Sequence, residues 1–169
     1  MGTTPSHKDA DPAEEANMLS GDGGIYLVVA DETAEFELAM KYAAHMAAQN
    51  KGHVAVLYAL PDQDFQHWGN IQERMRREQR EKAERFLWDV AGKLNAFNDT
   101  KPSFLLEEGS IQDALVRIID RDLNIRVLVL GAGTESSGPG PLVSYFTTKG
   151  LTRLRIPMLL VPDHVRVQK

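Results

Sequence analysis

Short apolar runs alternate along this chain with segments whose apolar residues recur every three to four positions. The runs predict five strands: IYLVVA, HVAVLYAL, SFLLEE, VLVL and IPMLLVP, at 25–30, 53–60, 103–108, 127–130 and 156–162. Apolar runs of this length are typical of strands buried on both faces of a parallel sheet. The alternation therefore predicts an α/β fold with right-handed crossovers and helices on both faces of the sheet.

The intervening segments carry helical spacing and cap signals. The first predicted helix has one apolar face made of Phe36, Ala39, Met40, Ala43 and Ala47, and the second has Ala83, Phe86, Leu87, Val90 and Leu94. Ser110 with Asp113 predicts a capping box at the start of the third helix. The dense mixed charges at 73–85 indicate a solvated helix face with i,i+4 pairs, with a partner-binding helix or an anion-binding patch as the alternative.

Length and composition predict one domain with a polar leader. Residues 1–24 are rich in Gly, Pro, Ser, Asp and Glu, so we expect a disordered N-terminal tail. The domain is expected to span 25–165, followed by a short C-terminal tail at 166–169. The aromatic residues of the 62–70 loop, Phe65, His67 and Trp68, either pack under the second helix or line a pocket or partner surface.

The composition also excludes several classes of function. The net charge of −5 argues against binding nucleic acid or an anionic membrane, and no apolar run is long enough to span a bilayer. The chain has no cysteine, which excludes thiol catalysis, and its histidines lack the spacing of a metal site. No catalytic signature is present, so an enzyme is not indicated. A cytoplasmic location is expected because no secretory signal is visible.

Two places meet the rule that ligands of such folds sit beyond the carboxyl ends of the strands. Asp31 follows the first strand, and the loop GAGTESSGPG at 131–140 follows the fourth. Each place also has a purely structural interpretation. Asp31 beside Thr33 suits a helix N-cap, and a GPGP turn suits a rigid connection between a strand and a helix.

Four features carry a resemblance to a known family: Asp31 after the first strand, the glycine loop at 131–140, the EEGS turn before the third helix and the IPMLLVP ending. Together they resemble the universal stress protein family over nearly all of 25–162. The resemblance implies an open, Rossmann-like five-stranded sheet of order 3-2-1-4-5. It also implies a homodimer in which the fifth strands pair, which places Met158, Leu159, Leu160 and Val161 at the interface. Many members bind ATP through a G-x2-G-x9-G-[ST] pattern whose backbone amides hold the phosphates.

The family pattern, carried over without gaps, falls on Gly131, Thr134, Ser144 and Tyr145, so three of its four residue identities are lost. Thr134 is β-branched and poorly suited to positive φ, and the phenol of Tyr145 is expected to crowd the helix start. The full nucleotide-binding set that the resemblance implies is Asp31 at the ribose, Val54 on the adenine side, and Leu130, Gly131, Gly133, Thr134, Ser144 and Tyr145 at the loop.

The resemblance implies a homodimeric stress-response module with a degraded ATP loop, which binds ATP weakly or not at all and acts through an unidentified protein partner. The alternative is a sensor of the same fold that binds AMP, or ATP with Mg²⁺, and hydrolyses ATP slowly. An independent enzyme such as a hydrolase or transferase is a third class, for which the sequence offers no catalytic residues.

Overall fold

A computed structural model of the chain describes residues 23–31, 33–60, 69–134 and 138–167. The predicted tail up to residue 22 and the three aromatic residues at 65–68 lie outside this part. The strands are β1 (Ile25–Val29), β2 (His53–Leu60), β3 (Ser103–Glu108), β4 (Ile125–Ala132) and β5 (Met158–Pro162). The helices are α1 (Ala34–Gln49), α2 (Gly69–Asn98), α3 (Ile111–Arg121) and α4 (Pro141–Thr148), and a 3₁₀ turn at Leu151–Arg153 leads into β5.

The five strands form one open sheet in the order β3-β2-β1-β4-β5. All four strand pairs are parallel, so every strand ends at the same edge of the sheet, which we call the carboxyl edge. The predicted α/β class, the parallel sheet and the strand order are confirmed. Within the described residues, no helix is long and apolar enough to cross a membrane.

Alternate residues of the central strand supply two separate core layers. Tyr26 and Val28 pack with the apolar faces of α1 and α2, whereas Leu27 and Val29 pack with α3 and α4. Because side chains alternate across a strand, a run apolar at every position serves both layers. The predicted apolar face of α1 is buried throughout, and that of α2 is buried except at Phe86, which is partly buried.

The predicted capping box at the start of α3 is only half present. The Ser110 hydroxyl accepts a hydrogen bond from the Asp113 amide at 3.5 Å, as an N-cap should. The Asp113 carboxylate, however, accepts from Arg153 Nη2 at 2.8 Å. A partner supplied by the tertiary fold has replaced the reciprocal local contact.

Helix α2 is much longer than the sheet on which it packs. Its 30 residues span about 45 Å, whereas the eight residues of β2 span about 26 Å. From Ile71 onward, the first buried side chain is Ala83. The preceding turns carry the ion pairs Arg74–Glu78 and Arg77–Glu81, at 3.1 and 3.5 Å. The predicted solvated, charged face is therefore confirmed.

Candidate functional site

The candidate site lies at the carboxyl edge, where β1 and β4 end side by side. The two strands pair through Val28 and Val129, and the loop that follows each one leads into a helix. A cavity of about 60 Å³ opens between these two loops. Its lining consists of Val29, Asp31, Thr33, Phe36, Leu130, Gly131 and the stretch 139–143. The fold thus brings Asp31, Leu130 and Gly131 together as predicted from the sequence.

Asp31 supports the cap of α1 without being the cap itself. The N-cap is Thr33, whose hydroxyl oxygen accepts a hydrogen bond from the Phe36 amide at 3.1 Å. Asp31 Oδ1 accepts from the Thr33 amide at 3.0 Å and from the Thr33 hydroxyl at 2.5 Å. Asp31 is exposed, and none of these contacts uses Oδ2. The carboxylate can therefore stabilise the turn and still offer an oxygen to a ligand hydroxyl.

Gly131 is required by packing. A Cβ placed on this residue would lie 2.2 Å from the backbone oxygen of Glu35, in the first turn of α1. Gly131 is still part of β4, where it pairs with Val161. The close approach of α1 to β4 therefore accounts for this glycine, whether or not a phosphate binds.

Two other loop glycines shape the turn into α4. Gly138 and Gly140 adopt φ values of 81° and 96°, a region that glycine enters without steric cost. Gly140 is the N-cap of α4, has no side chain to cap it, and is followed by Pro141. The first backbone bond of the helix runs from the Ser144 amide to the Gly140 carbonyl at 3.0 Å. The preceding amides, of Leu142 and Val143, have no partner within the described residues, and both residues line the cavity.

Thr134, in contrast, is held by a carboxylate that sequence reasoning missed. Asp163 follows β5 directly, and its Oδ2 accepts from the Thr134 amide at 3.0 Å. Its Oδ1 accepts from the Thr134 hydroxyl at 2.6 Å. These two hydrogen bonds hold the pKa of the Asp163 carboxyl below its ordinary value, so the carboxylate stays ionised at neutral pH. Asp163 could have been predicted as a site residue from the sequence, because it directly follows the last strand and therefore lies at the carboxyl edge.

A second, larger cavity lies beside the first, between α1 and α2. Its volume is about 370 Å³, and it shares Asp31, Thr33 and Phe36 with the smaller cavity. The rest of its lining is Ala34, Glu37, Met40, Phe86, Val90 and Lys93. The rings of Phe36 and Phe86 stand 6.0 Å apart. Apolar and aromatic walls with a few charged groups suit a small organic ligand, and this volume lies in the usual range for such sites.

The charged groups of the larger cavity are already paired with each other. Lys93 Nζ lies 3.2 Å from Glu37 Oε2 and 3.2 Å from Asp89 Oδ2. Hydrogen bonds from Lys41 and Lys93 hold the pKa of Glu37 below its ordinary value. No cluster of three or more Asp, Glu or His side chains suited to a metal ion occurs in the described ranges.

The structure places Val54 away from the cavity between the β1 and β4 loops, so the fold does not bring it together with Asp31 and Gly131. Val54 is the second residue of β2 and pairs with Tyr26, near the start of β1. Asp31 lies five residues beyond Tyr26, about 16 Å along the strand direction. Val54 is also fully buried in the core. The residues of β2 at the carboxyl edge are instead Ala59 and Leu60.

We expected Tyr145 to crowd the start of α4, but the structure places it one turn further into the helix. It is the fifth residue of the helix and does not line the cavity. Its hydroxyl accepts from Arg153 Nη1 at 2.6 Å, and its ring packs edge-on against Phe146. Ser144, also within the helix, is exposed. The helix begins at Pro141, before the expected position, because Gly140 and Pro141 together provide its start.

β5 is an edge strand of the sheet, as the predicted dimer requires. Its side chains differ in what they offer a partner. Val161 is buried in the layer with α1, and Leu159 packs against the same layer. Met158 packs against the opposite layer, and Leu160 is 36% exposed.

The family model of the universal stress protein family matches residues 25–162. Among solved structures, the universal stress protein UspA from Lactobacillus plantarum has a TM-score of 0.68 at 14% identity, over 83% of this chain and 99% of that chain. A universal stress protein in complex with cAMP has a TM-score of 0.60 at 18% identity, over 82% of this chain and 96% of that chain. The Archaeoglobus fulgidus universal stress protein in complex with dAMP has a TM-score of 0.54 at 15% identity, over 81% of this chain and 95% of that chain. No curated protein matches the sequence. Structural likeness at these identities shows the fold, and the match of the family model over most of the chain shows that this protein belongs to the universal stress protein family.

Proposed function

We propose that this chain is a homodimeric stress-response module that acts through a protein partner and has little affinity for ATP. One observation carries the nucleotide part of this proposal. The Thr134 amide, at a loop position where the family pattern has a glycine, already donates to the Asp163 carboxylate. An ionised carboxylate at that place both occupies the donor and repels a phosphate group.

The smaller cavity supports the same conclusion. Its volume of about 60 Å³ is well below the several hundred Å³ of usual ligand pockets. No Lys or Arg is among its lining residues, so a triphosphate there would depend on the helix start and on bound Mg²⁺ for positive charge. The unpartnered amides of Leu142 and Val143 can hold at most a small anionic group.

The larger cavity favours a ligand with less phosphate. Phe36 and Phe86 offer aromatic surface, and Asp31 offers an acceptor for ribose hydroxyls. We therefore expect adenosine and AMP to bind more tightly than ATP, because they depend less on the glycine loop. Titration calorimetry with the three compounds, with Mg²⁺ present for ATP, measures this order. Tight ATP binding, at micromolar dissociation constant or better, would overturn the proposal.

The homodimer is proposed from β5. An edge strand leaves a row of backbone donors and acceptors without partners, and β5 is apolar throughout its length. A second β5 can satisfy these groups while covering Leu160. Pro157, just before β5, and Pro162, its last residue, would confine the pairing to the short stretch between them.

We expect Leu160→Lys to halve the particle mass measured by light scattering. The new charge would lie at the pairing edge, where a second copy brings the same charge close to it. Leu123→Lys is the matched control, because Leu123 is a 73% exposed leucine away from β5. An unchanged mass for Leu160→Lys, or an equal loss in the control, contradicts pairing through β5.

A nucleotide sensor of the same fold is the second candidate. It is favoured by the two amides at the start of α4 that have no partner within the described residues, and by structural neighbours described as complexes with cAMP and dAMP. Mass spectrometry of ligand released from purified, denatured protein separates the two candidates. Co-purifying AMP or ATP would favour the sensor.

A further inference from the structure

The larger cavity, between α1 and α2, has an acidic end and an apolar end. Asp31 and Thr33 precede α1 and are exposed. Met40 and Val90 also line the cavity and are almost fully buried. Met40 lies about 9 Å along the helix axis from Ala34, where α1 starts. A ligand that fills the cavity would therefore place a polar group at one end and an apolar body at the other.

Three charged side chains line this cavity, and two of them are neutralised by neighbouring residues. Glu37 Oε1 lies 2.8 Å from Lys41 Nζ, and Glu37 Oε2 lies 3.2 Å from Lys93 Nζ. Lys93 Nζ also lies 3.2 Å from Asp89 Oδ2. These two lysines and two carboxylates have no net charge. Neither Glu37 nor Lys93 therefore requires a charged group from a ligand.

Asp31, the third charged side chain, has no cationic partner within the described residues. Its Oδ1 accepts hydrogen bonds from the amide and the hydroxyl of Thr33, which are uncharged donors. A ligand that covers Asp31 would displace water from this carboxylate, and a charge removed from water is costly unless it is paired. A ligand hydroxyl would offset this cost with a hydrogen bond alone. An ammonium group would supply both the hydrogen bond and the opposite charge.

The aromatic walls of the cavity suit a cationic ligand as well. Phe36 lines both cavities together with Asp31, and its ring centroid stands 6.0 Å from that of Phe86. The face of an aromatic ring attracts a cation, and the same ring packs well against an apolar ligand body. The rings therefore favour the same class of ligand as the carboxylate without a counter-charge.

We propose that the larger cavity binds a small organic amine, with its ammonium group at Asp31 and an aromatic body against Phe36 and Phe86. An anionic group in the place of the ammonium group would be repelled by the Asp31 carboxylate. The same carboxylate is the acceptor suggested above for ribose hydroxyls. The amine site does not depend on the order in which the protein binds ATP, AMP and adenosine.

Three indole compounds with the same two-carbon linker test the proposal, because they differ only in the terminal group. Tryptamine ends in an ammonium group, tryptophol in a neutral hydroxyl group and indole-3-propionate in a carboxylate. We expect tryptamine to bind at least tenfold more tightly than tryptophol, and indole-3-propionate to bind most weakly. Titration calorimetry of the full chain at neutral pH measures the three dissociation constants.

Asp31→Asn tests the role of the charge, because asparagine keeps an oxygen that can accept a hydrogen bond from Thr33. It should lower the affinity for tryptamine at least tenfold, to the level of tryptophol, and change the affinity for tryptophol less than twofold. Glu108→Gln is the matched control. It removes one negative charge from the carboxyl edge, at the end of β3, and should leave both affinities unchanged.

Ala34→Trp tests the location of the site. Ala34 is exposed and lines the larger cavity but not the smaller one. The new side chain should fill the space between α1 and α2 and abolish the binding of tryptamine and tryptophol, while circular dichroism shows that the fold is kept.

Equal affinities for the three indole compounds would overturn the proposal, as would tryptamine that does not bind at millimolar concentration. Tryptamine binding that persists unchanged in Asp31→Asn or in Ala34→Trp would also overturn it. None of these outcomes decides the affinity for ATP, so the proposed function is tested separately by the nucleotide titrations described above.

Discussion

Gly131→Ala is expected to lower the free energy of unfolding by about 3 kcal/mol, because it forces an overpacked contact between backbones. The added Cβ would lie 2.2 Å from the carbonyl oxygen and 2.4 Å from the carbonyl carbon of Glu35. Neither atom belongs to a side chain that can rotate away, so α1 or β4 must shift. The melting temperature should fall by roughly 10 °C. Urea unfolding followed by circular dichroism measures both changes.

Gly109→Ala is the matched control for this change. Gly109 has a φ of 98°, but a Cβ there would meet no atom within 4 Å. Its substitution therefore carries the cost of a left-handed backbone alone, about 1–2 kcal/mol. If Gly131→Ala lowers the free energy of unfolding no more than Gly109→Ala does, then α1 can shift at little cost and packing does not require Gly131.

Asp163→Ala is expected to tighten ATP binding at least tenfold, which corresponds to about 1.4 kcal/mol. The substitution frees the Thr134 amide and removes a negative charge from the loop. Adenosine carries no phosphate, so its affinity should stay unchanged. Titration calorimetry with ATP and Mg²⁺, compared with adenosine, measures the difference.

Two further variants show whether the negative charge of Asp163 or its contact with Thr134 limits ATP binding. Asp163→Asn removes the charge but keeps an oxygen that can accept a hydrogen bond from Thr134. It should therefore increase the affinity for ATP less than Asp163→Ala does. Glu108→Ala removes a charge from the same edge of the sheet, at the end of β3, and controls for the general change in net charge. If ATP binds Asp163→Ala no better than it binds the unchanged protein, the Thr134–Asp163 contact does not limit phosphate binding.

Much of the fold could be predicted because its signals are local. The runs at 25–30 and 53–60 are apolar at nearly every position, and short runs of this kind are typical of a strand covered on both faces. Strand order is different, since no periodicity encodes which strands are neighbours. The order 3-2-1-4-5 was expected from the family resemblance, and the sheet confirms it.

The candidate site could be predicted only in part because its contacts join distant segments. Asp31, Leu130 and Gly131 could be expected to lie near each other, since they stand at the ends of β1 and β4, and they line one cavity. Thr134 meets Asp163 across 29 residues, and no local pattern announces such a pair. Val54 was assigned through the family resemblance, and the structure places it near the opposite end of β2 from the carboxyl edge.

The contact between Gly131 and Glu35 has an evolutionary consequence. A glycine that the folded backbone requires is kept by selection for stability, even in a lineage that no longer binds nucleotide. The presence of Gly131, the first glycine of the family pattern, is therefore no evidence for ATP binding by this chain.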